Sequence, residues 1–191
     1  MVSSANPEAA SGARAAARGF LGLAAIWTVL DQITKAVVVA SGAPGSVLCT
    51  LIPGWFELTH SRNPGAAFGM LDQHAGGRYI LALVAFGALG TLFALRKRVW
   101  ALPAPQRIGL ALVSSGALGN LIDRLFRDGK VVDFIRVYLP TGQSQRYIWP
   151  DFNVAAIGVT CGMTLYVVHT LWCDWQAQRA GAEQPVSDAT P

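Results

Sequence analysis

Charge is scarce in this sequence. Lysine plus arginine number 15 and aspartate plus glutamate 11, together 14% of 191 residues. A soluble domain carries about a quarter of its residues charged. With 52% of residues hydrophobic and a positive mean hydropathy, the shortage points to a chain solvated by lipid. Cysteine is also sparse. Cys49, Cys161 and Cys173 are odd in number and far apart, which excludes a disulfide framework and a zinc site. Cys161 and Cys173 fall in an apolar segment and read as core fillers. The net charge of +4 comes from basic residues beside apolar runs, with no basic stripe, so a nucleic-acid partner is not expected. No internal repeat is visible, so a two-fold transporter plan has no support.

Four apolar runs remain, at 20–40, 79–95, 108–125 and 153–172. Each is close to the ~20 residues that a membrane-spanning helix needs. The first follows Arg14 and Arg18 and has no small-residue cleavage site at its end, so it reads as a span and not as a removable signal peptide. Arg96-Lys97-Arg98 and Arg107 flank the short connection between the second and third runs, with a turn expected at 103–106. By the positive-inside rule this connection and both termini face the cytoplasm. The expected organisation is a cytoplasmic tail over 1–18 and a membrane domain over 19–173. Extracytoplasmic loops follow at 41–77 and 126–152, then a polar, disordered tail over 174–191. The first loop contains a strand at Trp55-Phe56-Glu57-Leu58-Thr59-His60, and the second has room for a hairpin. The fold class is therefore an all-α membrane protein of four spans with a small β-containing platform.

Ionisable residues at bilayer depth are expensive and mark function by default. Asp31 and Lys35 sit at i,i+4 inside the first run and share a helix face, where they can pair. Gly119-Asn120-Leu121-Ile122-Asp123-Arg124 closes the third run. Val131-Val132-Asp133-Phe134 follows it, and Phe152-Asn153-Val154-Ala155 opens the fourth. In the first loop Asn63-Pro64-Gly65-Ala66-Ala67-Phe68 combines an amide, a turn and small residues that permit close approach.

Each motif is weak alone. Their order, with Asp31-Gln32-Ile33-Thr34-Lys35 at the head, resembles lipoprotein signal peptidase (signal peptidase II) over about residues 20–172. The resemblance implies an aspartic endopeptidase of the bacterial inner membrane. It would cut diacylglyceryl-modified prolipoproteins before the lipidated cysteine, with its site near the outer face. Two aspartates would share a water, without metal or cofactor. Asp133 would be one of them. Asp31, Lys35, Asn63, Gly65, Asn120, Asp123, Arg124 and Asn153 would support the site and hold substrate. Membrane lipid would be a partner, globomycin-like peptides would be inhibitors, and a monomer is expected.

The chain departs from the family pattern at one position. Where the second catalytic aspartate would follow Ala155, this sequence has Ala156. A methyl group neither accepts nor donates a proton. Asp151 is near in sequence but projects elsewhere on a helix. The expectation is a retained fold and substrate groove with severely impaired hydrolysis. Beside it stand a non-catalytic binder of lipidated peptides and, third, a small transporter using Asp31 and Asp123.

Overall fold

The computed structural model describes residues 7–65, 77–141 and 146–182. In order these form α1 (Pro7–Ser41), β1 (Val47–Ile52), β2 (Phe56–Asn63), α2 (Gly77–Ala94), α3 (Arg96–Ala101), α4 (Ala104–Phe126), β3 (Val131–Pro140), β4 (Arg146–Ile148) and α5 (Val154–Ala182). The strands make one antiparallel sheet in sequence order. The expected strand in the first loop and the hairpin in the second are both present. Of the motif in the first loop, Ala66, Ala67 and Phe68 lie outside the described residues.

Several sequence boundaries move. α1 starts at Pro7, so most of the expected 1–18 tail is helical. α5 runs to Ala182, so the expected disordered tail is helical at least that far. The first extension is rich in Ala and Arg and the second in Ala and Gln, which prolong an existing helix at little cost. The basic cluster at 96–98 is itself helical in α3, and Pro103 caps α4, so the connection is shorter than expected. Cys161 and Cys173 are exposed and fill no core. They lie on the exposed side of α5.

The burial pattern is inverted relative to a water-soluble bundle. Leu83 is 71% exposed and Phe86 68%, while Asp31, Lys35 and Asp123 are fully buried. Apolar side chains outside and charge inside suit hydrocarbon surroundings. Two helical segments, Ser11–Ser41 and Val154–Ala180, are long and apolar enough to cross a membrane, and Tyr79–Ala94 is a shorter apolar helix. α4 is less apolar because its buried face carries Gln106, Ser114, Ser115 and Asp123.

Glycine sets how closely α4 and α5 pack. Cβ atoms at Gly109 and Gly162 would each strike the other residue's carbonyl oxygen, and one at Gly116 would strike that of Ala155. Gly119 leaves room for the carboxylate of Asp31, whose Oδ2 would lie 2.5 Å from a Cβ there. The glycines thus bring α1, α4 and the start of α5 together at one end. There Val38, Val132 and Phe134, joined by Leu48, Leu58 and Val154, seal the sheet onto the bundle.

Gly162→Ala is expected to force α4 and α5 apart and to destabilise the fold by about 1–3 kcal/mol. Gly87→Ala, where a Cβ meets nothing within 4 Å, should be neutral or slightly stabilising. Thermal unfolding in detergent compares them. Equal melting temperatures for the two variants would show that the α4–α5 contact is looser than described.

Candidate active site

The site grows from Lys35. Its ammonium is fully buried and contacts Asp31 Oδ2 at 2.8 Å, Asp123 Oδ2 at 2.9 Å and Asn120 Oδ1 at 3.1 Å. All three of its protons therefore have acceptors. Each carboxylate then uses its remaining capacity on a different segment. Asp31 Oδ1 accepts the backbone N–H of Ala155 at 2.8 Å, in the first turn of α5. Asp123 Oδ2 accepts the N–H of Val132 at 3.0 Å, one residue before Asp133. Arg127 pairs with Asp123 Oδ1, so two cations balance two buried anions. Removing one member of such a buried set costs several kcal/mol.

Asp133 sits on β3, 4% exposed. Asn153 Nδ2 donates to its Oδ1 at 2.7 Å and Asn63 Nδ2 to its Oδ2 at 2.9 Å. Register brings the second pair together, because Ser61 lies opposite Asp133 and Asn63 opposite Val131. Asn63 Oδ1 in turn accepts the N–H of Gly65 at 2.8 Å. Gly65 has φ +117°, and a Cβ there would strike Leu81, so this corner requires glycine.

Asn153 joins the two halves of the site. It precedes α5, and its Oδ1 accepts the N–H of Ala156 at 2.8 Å, an N-cap bond. Its Nδ2 reaches Asp133, Asn120 Oδ1 and the Val132 carbonyl. Backbone bonds from Phe134 and Ile135 to the carbonyl of Phe152, at 3.0 and 2.9 Å, strap this segment to β3. Residue 156 is thereby held in the first turn of α5, two hydrogen bonds away from Asp133.

Burial raises the Asp133 carboxyl to about 6, against the hydrogen bond from Asn63 and the charge of Lys35, both of which favour the anion. Burial is the largest cause, and the charges of Asp151 and Asp123 push in the same direction. Asp151 is held by Arg136 at 2.8 and 2.9 Å and by Thr59 at 3.2 Å, so its carboxylate is committed to the sheet. Arg124 donates to the Asn120 carbonyl at 3.2 Å, and its Nε is buried without a partner among the described residues. It lines a cavity of about 350 Å³ with Tyr79, Ala82, Leu125, Asp128 and Gly129. The predicted residues therefore form one connected network among the described residues, in which Asp31, Lys35 and Asp123 are fully buried.

Two participants carried no assigned role in the sequence reading. Gln32 donates to Asp31, to the Gly119 carbonyl and to Asp123 at 3.1–3.3 Å. Arg127 closes the charge balance; the i,i+4 spacing from Asp123 was the available signal. Among the described residues no group of three or more His, Cys, Asp or Glu is placed to hold a metal.

Fold and site together define the class: a helical membrane protein with a carboxylate site where a strand platform meets one end of the bundle. The sequence model of the signal peptidase (SPase) II family matches residues 23–172. The lipoprotein signal peptidase of Symbiobacterium thermophilum is 41% identical over 147 residues, covering 77% of this chain and 90% of that one. The lipoprotein signal peptidase of Ralstonia nicotianae is 39% identical over 157 residues, covering 80% and 83%. A bacterial membrane enzyme solved by the in meso method at 2.3 Å superposes with a TM-score of 0.66 at 27% identity, over 80% of this chain and 87% of that one. The chain belongs to the signal peptidase II family of aspartic peptidases.

The raised Asp133 carboxyl has a consequence for stability. Because the folded state holds this proton more tightly than the unfolded chain, its contribution is fully present below about pH 4. It is lost as pH rises towards about 6. Wild type should therefore lose up to roughly 3 kcal/mol relative to Asp133→Asn between pH 4 and 6.5. Denaturation of both proteins in detergent across that range checks this. A difference that is flat, or that grows with pH, would mean Asp133 ionises as an exposed carboxylate does.

Proposed function

We propose that this chain has the substrate groove of a lipoprotein signal peptidase and that Ala156 deprives it of most of its hydrolytic power. In this reading four helices span the inner membrane, both termini are cytoplasmic, and the platform and Asp133 lie at the outer face. The substrate is a prolipoprotein bearing diacylglycerol on the cysteine that follows the cut. Globomycin-like peptides would compete for the same groove. The observation that carries the proposal is the Asn153 bridge, which accepts the backbone N–H of Ala156 at 2.8 Å and donates to Asp133 at 2.7 Å.

Peptide hydrolysis here needs two carboxyls in different states. An ionised one takes a proton from water as the water oxygen bonds to the scissile carbonyl carbon. A protonated one donates to the carbonyl oxygen, which gains the negative charge. Collapse of the tetrahedral species then breaks the carbon–nitrogen bond as the amine nitrogen receives a proton. The geometry supports a particular division of labour for an aspartate restored at 156. That position lies in the first turn of α5, where the partial positive charge of the helix end favours an anion. Asp133 is already pushed towards its neutral form by burial, and an anion beside it would push it further. Residue 156 would then be the base and Asp133 the acid. In the chain as it stands the second carboxyl is missing. Asp133, raised only to about 6, is mostly ionised at neutral pH and cannot perform both roles.

Loss of one positioned acid–base group removes about 10²–10⁴-fold in rate, and members of one catalytic unit fail together. Binding should persist, since Arg124, Asn63 and the platform do not depend on residue 156. This favours the second reading, a binder of lipidated peptides, for the chain as written.

Ala156→Asp is expected to restore cleavage of a diacylglyceryl prolipoprotein, followed by gel shift of the mature product, while Ala156→Asn should not. Robust cleavage by the unmodified chain would mean that another acid completes the pair. No gain in Ala156→Asp would remove position 156 from the site. For topology, a cysteine placed at Lys97 should resist impermeant thiol reagents in intact cells, and ready labelling there would invert the arrangement.

A further inference from the structure

The end of the bundle opposite the platform carries a separate feature. α1 passes α3 there, and between them is a cavity of about 370 Å³ lined by Ala13, Arg14, Ala17, Arg18, Leu21 and Trp100. Arg14 and Arg18 are one helical turn apart and exposed. Neither is in an ion pair among the described residues. α3 adds Arg96, Lys97 and Arg98 beside them. No aspartate or glutamate occurs at 9–30 or 95–107, so these two segments carry only positive charge. The walls of the cavity are apolar, with Arg14 and Arg18 contributing their side-chain stems, and Leu21 is 60% exposed.

We propose that this cavity is a binding site for an anionic phospholipid. Arg14 and Arg18 clamp the phosphate, the Trp100 indole lies at headgroup level, and an acyl chain descends along Leu21. Guanidinium groups match phosphate oxygens in geometry as well as charge. Trp is favoured at the membrane interface. The depth also fits. The apolar stretch Ser11–Ser41 has 31 residues, about 46 Å of helix, whereas the hydrocarbon core is only about 30 Å thick. The first turns of α1 therefore stand among headgroups. A soluble phosphate would gain nothing from the apolar walls of the cavity, which is why a lipid is the better occupant.

This site rests on the membrane-spanning reading but not on catalysis. The test reconstitutes the full chain in bilayers of phosphatidylglycerol and phosphatidylcholine, then counts co-purifying lipids by native mass spectrometry. Wild type should retain phosphatidylglycerol preferentially. Arg14→Gln with Arg18→Gln should lower that preference by roughly tenfold or more, while Lys97→Gln with Arg98→Gln, outside the cavity, should keep most of it. If the first double variant does not fold, Arg14→Lys with Arg18→Lys, which keeps charge but loses the planar fork, should weaken the preference partially. Equal retention of both lipids by wild type would overturn the site. So would an equal loss in both double variants, or complete displacement of the lipid by inorganic phosphate. Alkaline carbonate extraction separates the two levels. Release of wild type from membranes would sink the membrane reading itself, whereas retention without lipid preference would sink only this site.

Discussion

The buried ammonium of Lys35 is the point on which the rest depends. A charge without access to solvent must be matched in place, and here the match comes from Asp31 on its own helix and Asp123 on α4. Neither carboxylate is used up by the pairing. One caps the start of α5 and the other fixes the start of β3. The segments carrying residue 156 and Asp133 are thus positioned by the two sides of one ion pair. A structural salt bridge at this depth would be a poor investment in stability alone. Its effect is to set the relative position of two segments from distant parts of the chain.

The same inversion that buries charge exposes Leu and Phe along the helices. In water this would be an unstable surface. In lipid it is the ordinary one, and the cost moves to the polar network, every member of which must find partners inside the protein. Nearly all do. Among the described residues the buried Nε of Arg124 is the exception, and this side chain lines a cavity with Tyr79 and Asp128. A donor without a partner in a fully satisfied surrounding is where an incoming carbonyl would gain most.

Asn153 shows how one small residue serves two purposes. As an N-cap it satisfies an orphan N–H of α5, and as an amide it orients Asp133. Fold stability and site geometry therefore share one side chain. The bond from residue 156 is made by its backbone, so this arrangement does not depend on the side chain at that position.

Much of this was legible in the sequence. Four apolar runs, a strand at 55–60, and the order of the polar motifs are local properties, set by composition and spacing. They gave a mostly helical membrane protein with a small sheet, and the family resemblance. The helical extensions of α1 and α5 were missed because polar, Ala-rich segments carry the same composition whether helical or not. The exposure of Cys161 and Cys173 was missed because an apolar stripe does not reveal whether it faces protein or lipid. Other features belong to tertiary structure alone. Packing decided that Lys35 lies between two aspartates 92 residues apart in the sequence (Asp31 and Asp123). It also decided that Gln32 and Arg127 join them, that Asp151 is taken by Arg136, and that burial raises Asp133. Those facts depend on which distant backbones glycine allows to touch, and spacing along one chain does not encode such distances.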